Sequence, residues 1–123
     1  MLSGGASVVM PWADKVPAIL NMFLTGQAGG SAVCDIIFGD VNPSGKLAET
    51  YPIALEDNSS YNFFPGTSVS VEYRESVYVG YKYYDTAKKE VAFPFGHGLS
   101  YTTFEYSDIK VSADKIKDTH TVT

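Results

Sequence analysis

The sequence predicts an α/β fold: part of a parallel-sheet α/β sandwich built on a single βαβ unit, with irregular loops and a C-terminal β-strand. Three observations lead there. The segment Leu24 to Tyr51 reads loop, amphipathic helix, turn and strand. The apolar stretch Ala18 to Leu24 in front of it supplies a first strand covered on both faces. Residues Tyr101 to Val111 alternate as a strand does.

Ala6 to Met10 is short, rich in β-branched residues and flanked by Gly4-Gly5 and Pro11, which suits a buried strand. Pro11 to Lys15 can begin a single helical turn, with proline at its first position, and Pro17 ends it. Ala18 to Leu24 is broken only by Asn21, and over seven residues periodicity leaves a helix as the competing reading. The glycine-containing loop Gly26 to Gly30 then opens the helix, in which Ala28, Ala32, Val33, Ile36 and Ile37 recur at helical spacing. Gly39 stands where a left-handed C-terminal cap is wanted. Asn42-Pro43-Ser44-Gly45 is a turn, since proline presets φ at the second position and glycine is welcome at the fourth. Lys46 to Tyr51 reads as the second strand, joined to the first by a right-handed crossover.

Beyond Tyr51 the character changes. Pro52 to Gly66 mixes Pro, Asn, Ser and Gly with aromatics and reads as a long surface loop. Tyr61, Phe63 and Phe64 are costly to leave in water, so the expectation is that they pack against something, a partner domain included. Ser68 to Tyr73 alternates like a strand. Ser76 to Tyr84 fits a strand or a short helix equally well, and Asp85 to Lys89 is a polar turn. Phe93 to Gly98 is a compact Pro/Gly turn carrying two aromatics and His97.

The 123 residues leave room for one domain, or for one domain and a fragment of another. A 45% apolar and 19% charged balance argues against disorder. The net charge is -5 and Arg74 is the only arginine, whereas a nucleic-acid binder shows a basic stripe, so no nucleic-acid partner is expected. No apolar run approaches the roughly 18 residues of a membrane span, and no charged-then-apolar leader opens the chain. The expectation is a soluble chain without a membrane partner, a cytoplasmic location preferred over export. Both ends look cut from something longer.

Few residues invite a chemical reading. Cys34 falls on or near the apolar face of the helix, where the role expected is that of a small buried hydrophobe rather than a reactive thiol. Two histidines, His97 and His120, with one distant cysteine give no zinc spacing, so no metal is expected. The expected roles are a turn histidine for His97 and a solvated one for His120. The loop Gly26 to Gly30 lacks the G-x-G-x-x-G and Walker patterns, so it is read as a tight passage into the helix and no cofactor is expected. Glu72 and Glu75 around Arg74 form the strongest carboxylate pair, read as a solvated ion-pair cluster before a catalytic one. Trp12 and the run Tyr78 to Tyr84 could line a sugar platform by ring stacking, and packing between domains explains them equally well.

With these residues laid out, three stretches resemble the glycoside hydrolases of family 3, the β-glucosidase family. GQAGGSAVCDIIFGDVNPSGKLAETYP (Gly26 to Pro52) is similar to a helix that precedes a "GDVNPSGKL" turn and a strand in the family's second domain. VEYRESVYVGYKYYD (Val71 to Asp85) is similar to its "YREGIFVGYRYYD" segment, with Ser76 for the usual Gly and Lys82 for the usual Arg. FPFGHGLSYTTFEYSDIKV (Phe93 to Val111) is similar to the "PFGHGLSYTTF" stretch that leads out of that domain.

The resemblance implies that residues 1–98 are the C-terminal part of the α/β sandwich domain and that 99–123 begin a truncated fibronectin-III-like domain. It implies a parent that hydrolyses terminal β-glucosyl residues, with a carbohydrate as substrate and a (β/α)8-barrel domain as partner. The family's aspartate nucleophile lies in that barrel, and its acid/base glutamate lies upstream of Met1. No catalytic residue therefore transfers to this chain, and the chain alone is expected to be silent. The alternative is a carbohydrate-binding or subunit-docking module without catalysis. A parallel sheet short of strands exposes an apolar edge, which points to a homodimer through that edge.

Overall fold

A computed structural model of the 123-residue chain describes residues 1–111. Helix α1 spans Gly29–Phe38 and α2 spans Tyr81–Ala87; strand β1 is Tyr51–Pro52 and strand β2 is Val91–Phe93. Single 3-10 turns at Ala13–Lys15 and Leu55–Asp57 complete the regular structure.

The helix predicted after the glycine loop is where periodicity puts it. Gly29 is needed there, because a Cβ at this position would meet the Thr25 side chain at 2.4 Å. Gly39 takes φ +84°, its N–H donates to the Ile36 carbonyl at 3.2 Å, and the Val41 N–H reaches back to Asp35 at 3.0 Å. These bonds satisfy carbonyls that a helix end leaves open. The helical turn read at Pro11 to Lys15 is present as Ala13–Lys15. The ambiguity at Ser76 to Tyr84 resolves into an irregular run that enters α2 at Tyr81.

From Asn42 to Pro52 the chain runs antiparallel to Val91 to Tyr101. Tyr51 pairs with Phe93 and Pro52 with Val91. The Phe95 N–H donates to Thr50 Oγ1 at 3.3 Å. Leu47 donates to the His97 carbonyl and accepts from the Gly96 N–H, both at 2.8 Å. Lys46 Nζ bonds the Gly98 carbonyl. Finally Asn42 Oδ1 accepts from Ser100 Oγ and from the Tyr101 N–H, each at 2.9 Å. Pro43 and Pro52 lack donors, and a register irregularity lies at Tyr51/Pro52, so regular strand survives only at one end of this clasp.

The clasp corrects the expected βαβ unit. Residues 46–50 are not in a strand, and Tyr51 pairs antiparallel with Phe93 instead of parallel with 18–24. Leu47 turns its backbone N–H and carbonyl to His97 and Gly96 rather than to residues 18–24. Residues 20–23 pair in parallel with the N-terminus instead: Leu2 N–H donates to Leu20 at 2.9 Å, Met22 to Leu2 at 3.0 Å and Gly4 to Phe23 at 3.2 Å. Two side-chain bonds tie that pair and residues 6–10 to the clasp, Asn21 Nδ2 to the Tyr51 hydroxyl and the Ser7 N–H to Glu49 Oε2, both at 2.7 Å.

Three further strands are absent. Ala6 to Met10 joins no ladder, although Met10 is buried. At 66–70 the Thr67 N–H bonds the Ser70 carbonyl, and Thr67 Oγ1 accepts from the Ser70 N–H, closing a tight turn behind Gly66 at φ +90°. Hydroxyl side chains divert backbone from ladders in this way. Tyr101 to Val111 is exposed throughout, and Asp108 at φ +55° interrupts its extension. β-propensity describes how a side chain fits a half-covered pleated surface, and no such surface faces these residues among those described.

Among the described residues the buried apolar side chains are Met10, Val33, Tyr51, Pro52 and Tyr84, and many more lie in water. The closest approach across the clasp gives a test: a Cβ at Gly98 would sit 2.7 Å from the Gly45 carbonyl oxygen and 2.8 Å from Lys46 Cδ. Gly98→Ala is expected to lower stability by about 1–3 kcal/mol, read from urea unfolding, because backbone rather than a flexible tip must yield.

Candidate functional site

A cleft lies between the turn at 59–63, the loop at 74–78 and α2. It has a volume of about 300 Å³, and Phe63, Arg74, Glu75, Tyr78 and Tyr83 form its walls. The Arg74 guanidinium sits 4.8 Å over the Phe63 ring, while its Nε bonds Glu72. Arg74 and Glu72 are both more than half exposed, so their pair is the solvated cluster that the sequence suggested and contributes little to stability. Glu75 is half-buried at the wall.

Behind the cleft a firmer constraint closes the loop that follows β1. Lys89 Nζ donates to Asp57 Oδ1 at 2.8 Å and lies 5.9 Å from the Tyr83 ring centre. The bond from Lys89 holds the Asp57 carboxyl below its ordinary value, and the same bond raises Lys89. The Tyr84 phenol is pushed up by burial, with Asp57 and Tyr83 adding to it. Tyr51 is raised by burial as well, against the bond from Asn21. Asp57 and Lys89 are 32 positions apart, and no local pattern in the sequence marks them as a pair.

The other residues singled out by sequence do not converge on this cleft. The His97 ring packs on Phe93 at 5.2 Å between centres, and its backbone rather than its ring makes the turn's bonds. Tyr81 stacks on Phe95 at 4.8 Å. Trp12 stays partly exposed, and Tyr61 and Phe64 lie in water, so the packing expected for these two is absent among the described residues. Cys34 is exposed, which corrects its reading as a buried hydrophobe: α1 buries the stripe of Gly29 and Val33, and Cys34 falls outside it. A second groove of about 580 Å³ runs between Val8-Val9 and Pro52 to Glu56. His120 lies outside the described residues. No cluster of three or more His, Cys, Asp and Glu side chains is found among the described residues. No helix there is long and apolar enough to cross a membrane.

Chemically, aromatic walls with one guanidinium and one carboxylate can hold a hydroxylated ring. Cleaving a glycoside with retention needs two carboxyl groups about 5–5.5 Å apart, one of them with raised proton affinity. Asp57 is moved the opposite way.

Comparison with known proteins places the chain. The family described as "Glycosyl hydrolase family 3 C-terminal domain" matches residues 1–101. The chain belongs to that family. Among family 3 relatives, "Thermostable beta-glucosidase B" of Acetivibrio thermocellus is 57% identical over 96% of this chain and 16% of its own length. The "Exo-alpha-(1->6)-L-arabinopyranosidase" of Bifidobacterium breve is 49% identical over 91% of this chain and 15% of its own. The crystal structure of the β-glucosidase from Kluyveromyces marxianus in complex with glucose superposes with a TM-score of 0.83 at 40% identity, covering 94% of this chain and 14% of that one. The chain therefore spans about a sixth of the length of the family 3 proteins it matches.

The Asp57–Lys89 pair sets a pH dependence with a defined sign. A depressed carboxyl pKa stabilises the fold fully above the ordinary value, and this is lost as pH falls through the folded one, below about pH 4. A raised lysine pKa stabilises fully below the ordinary value and is lost as pH climbs through the folded one, above about pH 10.4. Asp57→Asn is expected to flatten both limbs of a plot of urea midpoint against pH and to leave the slope at neutral pH unchanged.

Proposed function

We propose that this chain serves the hydrolysis of terminal β-glucosyl residues as a non-catalytic piece. In this reading residues 1–98 are the closing part of the α/β sandwich of a family 3 β-glucosidase, and residues 99–123 lead into a fibronectin-III-like domain. The observation that carries it is the match over 90% or more of the chain to 14–16% of β-glucosidases. The large apolar side chains left in water agree with it, since a free-standing domain would cover most of them. The parallel pairing of 2–4 with 20–23 is then one seam of a wider parallel sheet. The carboxylates that cleave the bond lie outside these residues, with the nucleophile on the (β/α)8-barrel and the acid/base residue earlier in the sandwich. The preference of the relatives is not uniform, one being named an arabinopyranosidase, so the sugar taken by the parent is the business of those other parts.

A second reading, carbohydrate binding without catalysis, is favoured by the cleft between Phe63, Arg74, Tyr78 and Tyr83.

Two measurements separate these. The purified chain is expected to release no nitrophenol from an aryl β-glucoside. A chimera of the A. thermocellus enzyme, its matched segment replaced by this chain, is expected to hydrolyse the same substrate. Turnover by the chain alone, abolished by replacing one of its carboxylates, contradicts the proposal, and so does a folded chimera without activity. Heat of binding with cellobiose that disappears in Phe63→Ala favours the second reading.

A further inference from the structure

Helix α1 carries two apolar stripes, and the described residues cover one. Gly29, Val33 and Ile36 stand at i, i+4 and i+7; the first two are buried and the third half-buried. Gly30, Cys34 and Ile37 repeat that spacing one position on, with Phe38 beside them at i+8. All four are exposed, Ile37 at 54% and Phe38 at 80%, and Val41, just past the Gly39 cap, is exposed as well. The polar residues of the helix, Ser31 and Asp35, four residues apart, border the second stripe on the side away from the first. An isolated helix at a protein surface shows one apolar stripe and polar residues opposite; apolar character over two adjacent stripes belongs to a helix covered from two sides. Gly30 and Cys34 keep the first two turns of the second stripe low, and Ile37 and Phe38 rise at its end.

We propose that the face of α1 formed by Gly30, Cys34, Ile37 and Phe38 is a packing seam, and that it is covered by an apolar layer from the remainder of a family 3 glycosyl hydrolase chain. The occupant follows from length: these residues match within chains six to seven times longer, which leaves most of such a chain to supply a covering layer. The inference rests on the proposed function and goes further by naming the face. Cys34 lies inside the seam and reports on it, since a thiol under a packed layer is shielded from alkylation and one in water is not.

The test uses the free chain and the chimera described above. In the free chain Phe38→Glu is expected to leave the melting temperature unchanged, Val33→Glu to unfold it, and Cys34 to react with iodoacetamide as fast in native buffer as in denaturant. In the chimera the modification of Cys34, located by peptide mass, is expected to slow by at least about tenfold, and Phe38→Glu to lower the melting temperature. As a second arrangement, the A. thermocellus enzyme lacking its matched segment is mixed with the separate chain, and capture is expected to fail with Phe38→Glu. An active chimera whose Cys34 reacts freely overturns the seam and leaves the proposed function standing. Protection of Cys34 on concentrating the free chain alone makes a second copy the occupant and also overturns it. Failure of both the chimera and the mixed chains to associate or to act overturns the seam together with the reading beneath it.

Discussion

The antiparallel clasp of 42–52 on 91–101 is the constraint on which the rest of this structure depends. It joins segments about fifty residues apart and runs from the Tyr51–Phe93 pair to the Asn42–Tyr101 bond. Its bonds use whatever group is at hand: backbone at Leu47 and Gly96, an accepting hydroxyl oxygen at Thr50, a donating ammonium at Lys46, an accepting side-chain amide oxygen at Asn42. Prolines and glycines explain this variety. They break the ladder, and side chains restore the missing bonds.

Everything else is hung on that clasp. The Tyr101 hydroxyl reaches the Ile36 carbonyl at 2.9 Å, so the end of α1 is fastened to the strip that leaves the clasp. Asn21 fastens the parallel pair at the N-terminus through the buried Tyr51. Lys89 draws the turn after β1 onto the turn after α2 through Asp57. The result is a framework well supplied with directional bonds and poor in buried apolar surface. Burial is the main favourable term in folding, so such a framework gains little stability from the core among its described residues.

Much of this was legible from local pattern. The extent of α1, its glycine cap, the turn at Pro11 and the family itself follow from spacing and turn chemistry that act within a few residues. The strands were misread for a common reason. Ser68 to Tyr73 and Tyr101 to Val111 have the alternation of strands, but alternation states only that two faces differ and names no neighbour to pair with. Cys34 shows the same limit on a helix: its spacing marks an apolar face without saying that two such faces exist and that this chain covers one. The cleft gathered Phe63, Arg74, Glu75 and Tyr78 from neighbouring stretches that had each been noticed, whereas Asp57 and Lys89 had no motif to betray them.

By itself, then, the sequence determined the helix, its glycine cap, the turns that follow Met10 and Pro94, and membership in family 3, because each depends on backbone preferences and contacts a few residues long, whereas Asn42 to Gly45, read as a turn, lies extended in the clasp. Which strips of chain lie together was decided only in three dimensions. Lys46 to Pro52 could have paired in parallel with Ala18 to Leu24 on pattern alone. They pair with Val91 to Tyr101 because donors and acceptors on both sides match there, a competition between distant partners that no local window contains.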